Sequence, residues 1–246
     1  MRALVVCGSA DLSGTSSTMA KDAERWFRSS GFEADAVFPA SMRIGHCTGC
    51  GACKDGPCII DDDMAPILDK ASRADVIVFS FPVHFSGPSS MAKAVIDRFQ
   101  PFWLDKESPH PKECAALICG GGPEPRFLPS VSVMRALSIT VGMRWRGHLE
   151  FPGTDARGTK GSREAVEGFL ERAFGSERGR PWIRIPIPGR ILPPIRGTVS
   201  RKDSGPPRPP TPPPSWTCRC PGCRSFRTRC RRGGPRCRGG PPAFLS

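Results

Sequence analysis

Four cysteines fall inside a span of twelve residues: Cys47, Cys50, Cys53 and Cys58, spaced C-x2-C-x2-C-x4-C. Thiolates packed this densely in a loop can wrap a compact cubane, and the first three follow the C-x2-C-x2-C run of bacterial ferredoxins. Gly49, Gly51 and Gly56 permit the tight turns that such wrapping needs. Asp61, Asp62 and Asp63 make the flank acidic, which disfavours added negative charge. Three readings stay open: a [4Fe–4S] cluster, free or redox-active thiols, and zinc. Zinc sites more often pair two C-x2-C knuckles across a long spacer. Cys7, Cys114 and Cys119 lie in apolar runs and read as small core residues.

A second candidate is the stretch from Gly8 to Ser17, two small residues followed by a hydroxyl-rich segment. Backbone amides, Ser and Thr hydroxyls and a helix dipole all favour an anion there. The segment holds no Lys or Arg and no Walker pattern, so it suits a phosphate monoester that is bound and kept. An ordinary Ser/Thr-capped helix is the plainer alternative.

The elements that would position these residues can be read from hydrophobic pattern. Residues 3–7, 76–81 and 115–119 are short, unalternating apolar runs, which predicts parallel strands buried on both faces. Weaker strands are expected at 34–38 and 145–151. Met19, Ala23, Trp26 and Phe27 share one helical face ended by Gly31. Further helices are expected at 64–72, from Pro88 in a first turn through Met91, Val95, Phe99 and Phe102, at 130–141 and at 163–174. Strands alternating with helices imply a doubly wound α/β sheet with helices on both faces. Ligands of such sheets sit at the carboxyl ends of the strands. Three loops therefore converge: 9–17, 82–87 and 120–122.

These motifs resemble the flavodoxin-like, NAD(P)H-dependent FMN reductase family. Its members often open with a strand and Gly-Ser-Pro-Arg-x-x-Gly-Asn-Thr; here Gly8, Ser9 and Gly14 match. Ala10, Asp11, Thr15 and Ser16 stand for Pro, Arg, Asn and Thr. The run from Phe81 to Ser90, with Lys93 and Ile96-Asp97-Arg98-Phe99, is similar to its Ser-Pro-Val-Tyr-Phe…Lys…Ile-Asp-Arg segment, with His84 at the Tyr position. The cysteine quartet is similar to the iron–sulfur flavoprotein branch. The resemblance covers residues 1 to about 175.

It implies a flavodoxin-like fold binding FMN, with NAD(P)H as co-substrate and a possible [4Fe–4S] cluster on the four cysteines. Ser9, the Asp11 backbone, Ser13, Thr15 and Ser16 would hold the phosphate. A carboxylate repels phosphate, so the Asp11 side chain departs from the pattern. Pro82, Val83, His84, Phe85 and Ser86 would line the isoalloxazine, and Gly120, Gly121 and Gly122 would let backbone approach it. His84 could stack on the flavin or hydrogen-bond it, or be a partly exposed loop histidine. The flavin would carry the chemistry, so no catalytic side chain is implied. The acceptor would be a small molecule or a redox carrier protein. A homo-oligomer is expected by the same resemblance. A carrier or redox sensor without NAD(P)H turnover is the alternative.

The 246 residues carry a net charge of +13, which alone would suggest a nucleic-acid partner. The excess is local. Residues 1–176 hold 20 basic and 21 acidic side chains, and residues 177–246 hold 16 and 2. The second segment also has 16 of the 28 prolines and five cysteines whose spacing fits no common zinc template. It reads as a low-complexity, disordered tail, as coding sequence out of frame, or as an arginine-rich nucleic-acid arm, the last being the least favoured. The domain boundary is therefore expected near residue 176. No apolar run approaches the roughly 20 residues of a membrane span. The opening residues do not form a signal peptide. Together these predict a cytoplasmic, reducing compartment, where cysteines serve metal or redox chemistry rather than a disulfide framework.

Overall fold

The computed structural model describes residues 1–105 and 109–177. The readings of the basic, proline-rich tail fall outside them. In chain order the elements are β1 (Arg2–Cys7), α1 (Thr15–Ser29), β2 (Glu33–Val37), α2 (Met64–Arg73), β3 (Val76–His84), β4 (Gly87–Pro88), α3 (Ser90–Asp97), α4 (Gln100–Leu104), β5 (Glu113–Cys119), α5 (Leu128–Val141), β6 (Arg144–Phe151), α6 (Thr154–Arg157) and α7 (Ser162–Phe174). The five long strands are parallel in the order β2-β1-β3-β5-β6. Counting parallel strands alone, this is the 2-1-3-4-5 winding of flavodoxin-like folds.

The central strands lack alternation because each face is covered. Leu4, Val6, Ile77, Phe79, Phe81, Ala116 and Ile118 pack one core with side chains of α2, α3, α4 and α5. Ala3, Val5, Cys7, Val76, Val78, Ala115, Leu117 and Cys119 pack the other with α1 and α7. Successive residues point to opposite faces, so a strand buried on both sides must be apolar throughout. Cys7, Cys114 and Cys119 are buried in these layers.

Three differences from the sequence pattern have local causes. The expected loop at 82–87 is instead the end of β3, a two-residue turn and β4, with Val83 opposite Pro88 and His84 opposite Gly87. Pro88 thus lies in a strand, and α3 starts two residues later with Ser89 as its cap, accepting the Ala92 amide at 3.1 Å. The single helix expected through Phe102 breaks into α3 and α4. Pro101 has no N–H to give the Asp97 carbonyl, and it settles in the first turn of α4 instead. The short helix α6 has no amphipathic signal in four residues and is not legible in the sequence.

The long β2–α2 connection carries the cysteine quartet, and one buried ion pair anchors it. Arg98, just past α3, meets Asp62 at 2.7 Å, and both side chains are at most 3% exposed. Asp62 also accepts the amides of Gly45 (2.7 Å) and Met64 (3.0 Å). Burial opposes ionisation of Asp62, but Arg98 and the two amides outweigh it and hold the carboxyl at about 2.

This lowered value fixes the sign of a pH effect. Above about pH 4 Asp62 is ionised in both folded and unfolded chains, and its full contribution of about 2 kcal/mol is present. As pH falls towards 2 the unfolded state takes up the proton first and the contribution disappears. Urea unfolding should therefore show wild type more stable than Asp62→Asn at pH 7, with the two midpoints converging as the pH is lowered to about 2. A gap that stayed constant across that range would contradict the ionic origin.

Candidate functional site

The chain leaves β1 through a tight junction. The Gly8 amide donates to the Ser80 carbonyl of β3 at 2.7 Å, and its own carbonyl accepts the Ser89 hydroxyl. A Cβ on Gly8 would sit 2.4 Å from the Cβ of Ala92, so only glycine fits beneath α3. Beyond it the loop folds on its own polar groups. Ser9 Oγ accepts the Asp11 amide at 3.2 Å, and Asp11 Oδ1 accepts the Ser13 amide and hydroxyl at 2.8 and 2.7 Å. These bonds from Ser13 hold the exposed Asp11 carboxyl below its ordinary range.

Helix α1 follows at Thr15. Its cap, Gly14, brings no side chain to the leading amides, and the first turn holds no acidic residue. Its amino-terminal donors and dipole are therefore available to an anion. That turn is tied to three strands. Ser16 Oγ lies 3.0 Å from Cys119 Sγ of β5, Ser17 Oγ lies 3.3 Å from Cys7 Sγ of β1, and Ser80 of β3 donates to the Ser16 carbonyl at 2.7 Å. Burial pushes both thiols up, so they remain protonated hydrogen-bond partners.

The second predicted segment forms the β3–β4 hairpin. Pro82 and Val83 are half-buried, and His84 and Phe85 are exposed. Phe85 and Ser86 both have positive φ, 49° and 67°, in a turn that normally takes Asn-Gly. Bulky residues rarely occupy this region, and such strain concentrates at ligand clamps. Ser130 of α5 donates to the Ser86 carbonyl at 3.1 Å and braces the turn. The Phe85 ring is fully solvent-exposed, leaving an unpacked aromatic face at this end of the sheet.

The third segment is clasped by a neighbour that pattern reading missed. The carbonyls of Gly120, Gly121 and Gly122 accept the amides of Thr154, Asp155 and Gly153. A Cβ on Gly121 would meet the Asp155 carboxylate at 2.5 Å. The three loops thus follow the carboxyl ends of β1, β3 and β5, where Gly8–Ser80 and Ser16–Cys119 contacts link them. The helix after β1 (α1) and the helix after β3 (α3) pack on opposite faces of the sheet, which makes the β1–β3 edge the usual ligand position in such sheets.

Cys47, Cys53 and Cys58 are half-buried and Cys50 is exposed, all as free thiols. Burial raises the Cys53 thiol, and negative charge on Cys58, Cys47 and Cys50 raises it further. Cys50 is lowered by the Ala52 amide and the Thr48 hydroxyl. The donor set suits an iron–sulfur cluster. Among the described residues, however, no three Cys, His, Asp or Glu side chains are gathered as a metal site. The Asp62–Arg98 pair behind the quartet escaped the sequence reading, where Asp62 counted only as acidic flank. Its partner stands 36 residues away, and no local pattern announces such a pairing.

Residues 1–151 match the family described as NADPH-dependent FMN reductase. An iron–sulfur flavoprotein of Archaeoglobus fulgidus is 33% identical over 103 residues, 42% of this chain and 47% of that protein. One from Methanosarcina thermophila is 42% identical over 69 residues, 28% of this chain and 36% of that protein. The chain thus spans half or less of the length of these two relatives. A flavone reductase superposes with a TM-score of 0.53 at 21% identity, covering 74% of this chain and 66% of that one. An FMN-dependent NADH-azoreductase of Bacillus anthracis, solved in complex with FMN, gives 0.53 at 11% identity, covering 72% and 100%. These two likenesses bear on the fold alone. No helix among the described residues is long and apolar enough to cross a membrane. With the family match running from β1 through the end of β6, the chain belongs to the NADPH-dependent FMN reductase family.

Proposed function

We propose that the chain is an FMN-dependent oxidoreductase that takes electrons from NAD(P)H, or from a reduced carrier, and passes them to a small acceptor. The observation that carries this reading is the uncapped, acid-free start of α1 at the carboxyl edge of the sheet, inside the family-matched segment. Bound FMN would supply hydride and single-electron chemistry. The chain's part is to bind and orient. The α1 amides, with the Ser13, Thr15 and Ser16 region, would take the phosphate. Pro82 to Ser86 would flank the ring, with Phe85 offering an apolar face. The Gly120–Gly122 backbone, held by the amides of residues 153–155, would close the third side.

The cysteine quartet supports a second electron centre, a [4Fe–4S] cluster. Its spacing is compact, and the two similar proteins are described as iron–sulfur flavoproteins. An electron carrier or redox sensor is the second reading. The exposed Cys50, with its lowered thiol pKa, favours it.

A flavin spectrum of the purified full chain tests the main reading. The protein should be yellow or take up added FMN, and NADPH or NADH should bleach the bound flavin under anaerobic conditions. Colourless protein that cannot take up FMN would sink the proposal. Flavin that binds but resists both nucleotides would leave the carrier reading.

Asp11 offers a sharper test. Its ionised carboxylate lies against Gly14, at the mouth of the phosphate position. Asp11→Asn keeps an oxygen for Ser13 and removes the charge. It should tighten FMN roughly fivefold at low salt and leave riboflavin, which lacks the phosphate, unchanged. Fluorescence titration with both ligands distinguishes this from a general change in the pocket.

A further inference from the structure

Ser17 has one hydroxyl proton to give, and it gives it to the Asp11 carbonyl at 2.6 Å. A carbonyl can only accept, so the direction of that bond is fixed. Ser17 Oγ also lies 3.3 Å from Cys7 Sγ. With the hydroxyl proton committed to Asp11, the thiol must be the donor at this second contact. Burial pushes the Cys7 thiol up, so it keeps the proton it donates. The bonds therefore run one way: from Cys7 at the end of β1, through Ser17 of α1, to the backbone of the first loop. Cys7 and Ser17 are both fully buried, and water cannot stand in for either.

The Asp11 carbonyl also accepts the Ser9 hydroxyl at 3.1 Å. Two hydroxyls thus fill its two lone pairs and hold it against α1. A carbonyl oxygen turned towards a phosphate would repel it. The Asp11–Leu12 peptide is trans, so its N–H points opposite to its C=O. Holding the carbonyl on Ser17 therefore aims the Leu12 N–H away from Ser17. Among the described residues that amide meets no acceptor. Cysteine suits the far end of this chain, because it packs in the apolar layer as a small hydrophobe and still carries a donor.

We infer that Cys7 is the positioning residue of the phosphate loop: its thiol orders the Ser17 hydroxyl, which holds the Asp11 carbonyl inward and leaves the Leu12 N–H as a further donor to the phosphate. The inference rests on the FMN reading for the identity of that phosphate, whereas the ordered chain does not.

The experiment uses the full chain stripped of flavin, as wild type, Cys7→Ala, Cys7→Ser, Ser17→Ala and the Cys7→Ala/Ser17→Ala double variant. Fluorescence titration reads the affinity for FMN and for riboflavin, which lacks the phosphate. Cys7→Ala should weaken FMN about fivefold, the size of one hydrogen bond, with riboflavin within about twofold of wild type. Cys7→Ser keeps a donor and should recover most of that loss. Ser17→Ala should weaken FMN at least as much as Cys7→Ala does. Adding Cys7→Ala to it should cost FMN nothing more, because the thiol then has no hydroxyl to order. Hydrogen exchange of the flavin-free forms reads the loop directly. The amides of residues 10–14 should exchange faster in both single alanine variants, with β1, β3 and β5 as protected as in wild type. Equal losses of FMN and riboflavin in Cys7→Ala mark a packing role and overturn the proposal. Additive losses in the double variant, or Cys7→Ser no better than Cys7→Ala, also overturn it. If Cys7→Ala loses protection throughout the sheet, Ser17→Ala must still weaken FMN alone and Cys7→Ser must bind as wild type, or the proposal fails. Wild type that binds neither flavin refutes the FMN reading. The ordered chain then stands if residues 10–14 exchange faster in the alanine variants and falls if they do not.

Discussion

The junction at Gly8 is the contact on which the rest of this site depends. There β1 ends, β3 receives the Gly8 amide, and α3 begins with its cap bonded to the Gly8 carbonyl. Ala92 occupies the space that any side chain on Gly8 would need. Three elements converge within one residue, and the backbone must come that close for α3 to lie against the sheet. The geometry then propagates. Fixing the exit of β1 sets where loop 9–14 can run. That sets the start of α1, whose first turn is pinned to Cys7, Ser80 and Cys119. Fixing the start of α3 sets the β3–β4 hairpin just before it and Arg98 just after it.

The polar groups beneath α1 explain why this turn can be both buried and open to a ligand. Ser16 and Ser17 point their hydroxyls down to thiols rather than up to their own helix amides. A Ser or Thr at the cap would instead consume one of those amides. Gly14 in the cap position leaves them free. Small thiol and hydroxyl side chains at the strand ends thus do two jobs: they fill the apolar layer and they hold the turn without capping it. Larger aliphatic residues at Cys7 or Cys119 would fill the layer but release the turn.

Much of this was legible in the amino-acid sequence, and the boundary of legibility is physical. The strands 76–81 and 115–119 were plain because burial on both faces demands unbroken apolar runs. The loops after residues 7 and 119 were plain because glycine and other small residues follow those runs. The hairpin at Phe85-Ser86 was not, because its turn lacks the Asn-Gly signal and relies on bracing from Ser130 in a distant helix. The break at Pro101 could have been found, since proline inside a helical pattern withholds an N–H from the residue four before it. The Asp62–Arg98 pair could not be found by periodicity. Both residues look like ordinary surface charges until the fold brings their elements together.

Charge shows the same distinction between what a total says and what a place says. The net +13 of the chain is the sum of +14 in residues 177–246 and −1 in residues 1–176. Two charges within that neutral segment matter more than the sum. Asp11 sets a carboxylate at a loop that otherwise offers only neutral donors to an anion, so its binding strength must come from amides, hydroxyls and the α1 dipole. Arg98 sets a buried cation beside the cysteine loop, balanced by the Asp62 carboxylate and the Gly45 carbonyl. The first disfavours any anion at its loop; the second is neutralised by Asp62 where the cysteine loop returns to α2. Because α3 starts at the Ser89–Gly8 contact and ends next to Arg98, the first loop and the cysteine loop are held at the two ends of one helix.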